Sequence, residues 1–248
     1  MRVAVLSDIH GNAVALEAVL TDLESYPADQ LVCLGDAVQG GLEPAEVVAR
    51  LRALACPVVM GNADAWLLSG EDSGKEPITA AQEAVRQWSL EKLSPDDRRF
   101  IGDFLPTVTI SLPGGKSLLA FHGSPDSFDD ILLPETPYEE FMRIYGPYAP
   151  AILTGGHTHL QHIRRLGETF YFNPGSVGVA FDRQQPDDTE PGKLRLDPWA
   201  EYAVLEVTDE RLGLDFRRVP FAVDRLVQAA RASGRPGSER YALEYGIE

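Results

Sequence analysis

Nearly every apolar run in the first two-thirds of the chain stops at an acid, an amide or a histidine, usually beside glycine. The pattern begins with Val3 to Leu6, which gives way to Asp8-Ile9-His10-Gly11-Asn12. A short apolar run bounded by turn residues reads as a buried strand. Asp8 and His10 stand two apart at its C-terminal end, so an extended backbone puts them on one face. In an open α/β sheet that end is where ligands bind. A carboxylate beside an imidazole suits a divalent cation that takes oxygen and nitrogen donors.

The same arrangement repeats along the chain. Asn12 is expected to cap a helix running to about Tyr26, striped by Val14, Leu16, Val19, Leu20 and Leu23. Gln30 to Leu34 reads as a second strand ending in Gly35-Asp36. Glu43 to Leu54 reads as a second helix, and Pro57 to Met60 as a third strand ending in Gly61-Asn62-Ala63-Asp64. Three strand–helix units in a row argue a parallel sheet with crossover helices. Residues 65–105 read as helical pieces, either covering a sheet edge or capping a pocket that Trp66 would face. From Thr107 the period switches to strands: Thr107 to Leu112 and Ser117 to Phe121 form a hairpin ending at His122-Gly123. A helix over residues 136–145 and a strand from Ala151 to Thr154 lead to Gly155-Gly156-His157-Thr158-His159. Hairpins over 161–172 and 202–219, an exposed loop over 182–198, a helix from Val223 to Ala232 and a loosely held tail complete the reading. No repeat or linker breaks this order. It predicts one domain over residues 1–248, with a cap-like segment at about 65–105 and two mixed sheets flanked by helices.

Composition removes several functions. With 38 acidic against 22 basic residues the formal net charge is −16. Long nucleic acid needs Lys and Arg to replace its counterions, and anionic membranes attract basic surfaces, so neither partner is expected. A small anionic substrate stays compatible where bound cations offset the charge locally. Cys33 and Cys56 read as buried free thiols, too few for a disulfide framework. The first apolar run is short and broken by Asp8, unlike a signal peptide, and no stretch approaches the ~20 apolar residues of a membrane helix. The expected location is the cytoplasm.

Any one of these strand-end residues has an ordinary reading as a turn former. Together they do not, because four of the five histidines fall at strand ends and His157-x-His159 repeats the spacing of Asp8-x-His10. Asp8, His10, Asp36, Asn62, His122, His157 and His159 are more donors than one tetrahedral zinc takes. Cysteine is absent from the set, which argues against a structural zinc clamp. Two ions sharing a carboxylate fit better, and two metals ~3.5–4 Å apart can hold a phosphoryl group and acidify water. The residues therefore predict metal-assisted phosphoester hydrolysis.

Asp8-x-His10, Gly35-Asp36, Gly61-Asn62-x-Asp64, His122-Gly123 and Gly156-His157-x-His159 resemble, in order, the motifs of the calcineurin-like metallophosphoesterase superfamily. Asn173-Pro174-Gly175-Ser176 extends the likeness, which is nearest to the small bacterial and archaeal phosphodiesterase branch. The resemblance implies a four-layer α/β/β/α sandwich. It implies that Asp8, His10 and His159 bind one metal, that Asn62, His122 and His157 bind another, and that Asp36 bridges them. A hydroxide held by both ions would attack phosphorus in line. Mn²⁺, Fe²⁺/Fe³⁺ or Zn²⁺ would serve, and a small or nucleotide-derived phosphodiester is the implied substrate.

One position departs from the family. Ala63 stands where many members carry a histidine that helps the leaving group. Asp64 is the candidate substitute, with holding the turn as its alternative role. Asn12, Trp66 and Ser176 are candidate substrate contacts, Arg183 is a further one, and His162 reads as a surface residue. Two rivals remain: a phosphomonoesterase or protein phosphatase on the same site, and a non-catalytic scaffold like the superfamily's retromer subunit. The scaffold resembles this fold with ligands lost, whereas here the ligand set is complete.

Overall fold

The first strand, β1 (Arg2–Leu6), serves two cores at once. Val3 and Val5 join one apolar cluster and Ala4 and Leu6 another, all fully buried. That is the period of two of a strand covered on both faces. The computed structural model describes residues 1–71, 74, 78–149, 151–181 and 195–245.

After β1 come α1 (Ala13–Ser25), β2 (Gln30–Cys33), α2 (Pro44–Leu54), α3 (Asn62–Ser69), α4 (Ala80–Lys92) and α5 (Pro95–Gly102). The hairpin β3 (Val108–Ser111) and β4 (Ser117–Ala120) follows, then α6 (Tyr138–Tyr145) and β5 (Ile152–Thr154). The chain continues through β6 (His162–Leu166), β7 (Thr169–Asn173), β8 (Trp199–Val207), β9 (Leu212–Pro220), α7 (Val223–Ser233) and α8 (Ser238–Glu244). One sheet has the order β2-β1-β8-β9 and the other β3-β4-β5-β7-β6. Both are mixed: β1 runs parallel to β2 and antiparallel to β8, while β4, β5 and β7 are parallel neighbours.

The two sheets face each other across a core in which Val3, Val5 and Leu205 of the first meet Val108, Leu118 and Phe172 of the second. Helices α1 and α2 cover the outer face of the first sheet through Leu16, Val47 and Leu51. Helix α6 covers the second through Phe141 and Tyr145, packed on Phe121 and Tyr171. This is the expected α/β/β/α sandwich. Burying each large side chain contributes about 1.5–3 kcal/mol, so the inter-sheet core fixes how the strand ends of the two sheets meet.

The expected third strand is reduced to single parallel bridges, Cys33 to Val58 and Val59 to Leu105. Pro57 has no N–H to extend the ladder, and the chain leaves at Gly61, which lies directly against Asp36. The tail expected to be loose instead forms α8, packed on α7 with Tyr241 and Ala242 buried. Of the expected exposed loop, residues 182–194 lie outside the described residues. Leu196 at its end is buried and bridges to Phe181. Among the described residues no helix is long and apolar enough to cross a membrane.

Candidate metal centre

The C-terminal ends of β1, β2, β4 and β5 meet at one edge of the sandwich. The β1 and β2 turns are knitted by backbone bonds, Asp8 N–H to the Gly35 carbonyl at 3.0 Å and His10 N–H to that of Asp36 at 2.8 Å. The Gly156 N–H does the same across to the His122 carbonyl at 2.8 Å. These turns are so sharp that Asp8, His10, Asp36, His157 and His159 all take left-handed backbone angles, with φ from 47° to 68°. Among the described non-glycine residues only Ala55 joins them. Such angles are uncommon outside glycine and cluster at functional sites.

Two clusters result, Asp8–His10–His159 and Asp36–His122–His157, each with its donor atoms within 4.8 Å of one another. In the first, His10 Nε2 and His159 Nε2 are 3.1 Å apart, and His159 Nε2 is 3.3 Å from Asp8 Oδ1. In the second, His122 Nε2 lies 3.5 Å from Asp36 Oδ2 and 3.0 Å from Asn62 Oδ1. The His122 and His157 rings stand edge to face at 5.1 Å. Asp36 Oδ2 is also 3.8 Å from His10 Nε2 of the other cluster, so one oxygen faces both. Its partner Oδ1 is fixed by the Ala63 N–H at 2.8 Å.

The donor chemistry fits cations. Nδ1 of His10, His159 and His122 each lies 2.8 Å from a backbone carbonyl, of Gln39, Val179 and Leu34 respectively. A carbonyl only accepts, so each Nδ1 carries a hydrogen, and in the neutral ring each Nε2 presents a lone pair to the centre. Asp8 Oδ2 already accepts from Ser7 Oγ at 2.6 Å and from the His157 N–H at 3.1 Å. Its Oδ1 is buried and has no hydrogen-bond partner. With the rings neutral, three acceptors converge with no donor between them, which is costly in a buried site unless a proton or a cation joins them.

The proton equilibria carry the same tension. Burial alone would depress His122, but Asp36 beside it lifts the imidazole to about 9. Burial opposes protonation of His159 as well, and Asp8 overrides it upward. At His10 burial prevails and the pKa falls; at His157 burial and the nearby His122 both lower it. Burial works against the charged forms of Asp8 and Asp36, yet His159 and His122 respectively hold both carboxyls below the usual range.

The seven predicted ligands thus come together, and Trp66 lines a cavity of about 880 Å³ that opens off His10 and Asn62. Three other predicted roles do not fit the geometry. Asp64 is fully buried, with its two oxygens accepting the Ala37 and Val38 N–H groups at 2.8 and 3.0 Å. Burial, with Asp36 nearby, lifts its carboxyl to about 7. It shapes the Asp36 turn and does not face the cavity as a proton donor. Asn12 is fully buried, caps α1 through the Ala15 N–H and donates to the Gly178 carbonyl, both at 3.0 Å, and it does not line the cavity. Ser176 donates to the Asp8 carbonyl at 2.8 Å and accepts the Val179 N–H at the same distance. Arg183 lies outside the described residues. His162 is buried rather than on the surface, tilted 5.5 Å from the Tyr171 ring.

Other residues of the site carried no sequence signal used above. Phe181 stacks on the His159 ring at 5.2 Å and 18°. Phe128, Arg235 and Tyr241 line the cavity from segments far along the chain. The only hint was glycine: a Cβ at Gly41 or Gly178 would sit 1.8 or 1.9 Å from the His10 or Ile9 carbonyl, so these loops press on the β1 turn.

Comparison with known proteins agrees with this geometry. Residues 1–189 match the model of the calcineurin-like phosphoesterase superfamily domain. An uncharacterised protein of Methanocaldococcus jannaschii is 30% identical over 200 residues, spanning 73% of this chain and 77% of that one. Phosphodiesterase YfcE of Escherichia coli K12 is 31% identical over 189 residues, spanning 72% of this chain and 80% of YfcE. A metallophosphoesterase structure from Sphaerobacter thermophilus has the same fold, with a TM-score of 0.72 over 100% of both chains at 23% identity. The chain belongs to the calcineurin-like phosphoesterase superfamily, and it is a hydrolase of that metal-dependent family.

Proposed function

We propose that this chain is a dinuclear-metal phosphodiesterase acting on small phosphodiesters. The observation that carries the reading is Asp36 Oδ2, which faces His10 at 3.8 Å and His122 at 3.5 Å, one histidine from each cluster. Asp8, His10 and His159 would hold one ion, Asn62, His122 and His157 the other, with Asp36 common to both. Mn²⁺, Fe²⁺/Fe³⁺ and Zn²⁺ all accept this mixture of imidazole and oxygen donors. Two such ions, when bound, withdraw charge from phosphoryl oxygens and acidify water.

The protein's own contribution is placement. The carbonyls of Gln39, Val179 and Leu34 aim three imidazoles, and the Ala63 N–H sets the Asp36 carboxylate. The cavity of about 880 Å³ lies between α3–α4 and the α7–α8 segment, with Trp66, Ile78, Val85 and Tyr241 in its walls. The α3–α4 part of the helical segment therefore acts as a cap, while Leu93, Ile101 and Phe104 of the same segment join the core beside α2. A pocket of that size, with apolar walls, suits an organic ester arm of nucleoside scale. A diester can place one arm there while its phosphorus lies at the clusters. Ala63 brings no proton to the leaving group, so esters that leave without protonation should react best. Two free thiols, Cys33 and Cys56, suit the reducing cytoplasm.

The test uses the Mn²⁺-loaded protein with bis(p-nitrophenyl) phosphate and p-nitrophenyl phosphate, alongside the ion count per chain. A higher kcat/KM for the diester and two ions per chain are expected. A faster monoester would overturn the diester assignment, and a single ion would overturn the dinuclear one.

A further inference from the structure

We infer that the C-terminal helix pair is a positioning device for one of the two metal clusters, the one formed by Asp8, His10 and His159. The inference rests on the reading that both clusters hold ions. Arg235, in the turn between α7 and α8, donates through Nε and Nη2 to the Gly40 carbonyl at 2.9 and 2.5 Å. The next residue back, Gln39, supplies the carbonyl that orients His10. Tyr245, just beyond α8, donates its hydroxyl to the Gly178 carbonyl at 3.0 Å. The next residue on, Val179, supplies the carbonyl that orients His159. The C-terminal segment thus grips each of the two loops one residue from the atom that aims a ligand.

Both loops also bond to the β1 turn, through the Gly178 N–H to the Asp8 carbonyl at 3.0 Å and the Leu42 N–H to the Gly11 carbonyl at 3.2 Å. They lie outside the sheets, with Gly40 at φ 111° and Gly178 pressed on the Ile9 carbonyl. The grip itself is firm. The Arg235 guanidinium lies over the Tyr241 ring at 5.1 Å and also donates to the Pro236 carbonyl at 3.0 Å. Tyr245 packs against Tyr241 and Phe221, with ring centroids 5.6 and 5.8 Å away.

The second cluster is held differently. His122 is aimed by the Leu34 carbonyl, and the Leu34 N–H is itself bonded to the Leu6 carbonyl at 2.8 Å, at the end of the β1–β2 ladder. Among the described residues no hydrogen bond from α7 or α8 reaches Asp36, His122 or His157. The C-terminal segment therefore tunes one ion and not the other.

The experiment is equilibrium dialysis of the metal-stripped full chain against Mn²⁺, for wild type, Arg235→Ala, Arg235→Lys and Tyr245→Phe. Wild type should bind two ions. Arg235→Ala and Tyr245→Phe should each weaken one ion about 10-fold, the low end for groups that orient ligating histidines. The other ion should not move. Arg235→Lys keeps a donor toward Gly40 and should recover part of the loss. The affected cluster is identified by repeating Tyr245→Phe on two backgrounds. With His159→Ala the remaining ion should ignore the substitution, and with His122→Ala it should weaken. Tyr245→Phe removes one hydroxyl, so it keeps the test valid should Arg235→Ala fail to fold. Equal weakening of both ions, or no change in either, overturns the inference while leaving the dinuclear reading intact. A wild type that binds fewer than two ions overturns the dinuclear reading, and the inference with it.

Discussion

The two clusters share a donor chemistry and differ in their support. Asp36, His122 and His157 close against strand ends, with Leu34 and the β1–β2 ladder behind them. Asp8, His10 and His159 lean on two loops that are fastened from the far end of the chain. A sheet places a side chain through many backbone bonds at once, whereas a loop needs a few specific ones. Similar ligands can therefore differ in rigidity, and ion affinity should follow.

The hardest blow to this contrast falls on the residue the clusters share. Asp36→Asn keeps the shape and the acceptor for the Ala63 N–H but loses the charge. Both ions should weaken together, and diester hydrolysis should fall by more than the roughly 100-fold that outer-shell changes cost. Retention of one tight ion would show that the clusters are independent and that Asp36 does not join them.

Two glycines sharpen the contrast with a smaller effect. A Cβ at Gly61 would lie 2.1 Å from Asp36 Oδ1, and one at Gly178 would lie 1.9 Å from the Ile9 carbonyl. Each Gly→Ala change overpacks a closed site and should lower stability by about 1–3 kcal/mol, read by thermal melting. Gly61→Ala should disturb both ions through Asp36. Gly178→Ala should disturb only the one on Asp8, His10 and His159. Identical ion losses from the two variants would erase the distinction.

The mildest test lies away from the site. Asp22 of α1 accepts from Arg217 at 2.8 Å and from the Tyr202 hydroxyl at 2.6 Å. Arg217, helped by Tyr202, holds the Asp22 carboxyl below its ordinary value. A depressed carboxyl pKa adds stability above the unfolded value of about 4 and loses it as pH falls through the folded value. Asp22→Asn should cost about 1 kcal/mol near neutrality, a modest figure because the pair is partly solvated. That cost should fade in acid, and neither ion should move. A constant cost at every pH would mean that packing, not ionisation, sets the contribution of Asp22.

Much of this was legible in the chain. The continuous apolar strand of Val3 to Leu6, the helix stripes and the seven candidate ligands, most of them beside glycine, can all be read locally. What sequence could not reveal was how each polar group is used up. The cap role of Asn12 and the turn role of Asp64 could be read locally, but their bonds to Gly178 and Ala37, and that of Ser176 to Asp8, join segments distant in sequence. His162 read as exposed because nothing local announces that it packs against Tyr171. The Gly/Pro/Ser-rich C-terminal tail reads as loose, since the contacts that order Arg235 and Tyr245 reach back to Gly40 and Gly178.

Five candidate ligand residues sit in left-handed turns, where glycine would be at ease but could bind nothing. That geometry costs an L-residue roughly 1–2 kcal/mol each, a sum that rivals the whole ~5–15 kcal/mol stability of a typical fold. Asp tolerates such turns better than most residues, and His is enriched there too, which softens the burden without removing it. Cation capture and the final tightening of this rim are then a single equilibrium. On the dinuclear reading, metal scarcity would slacken the rim and remove the chemistry together.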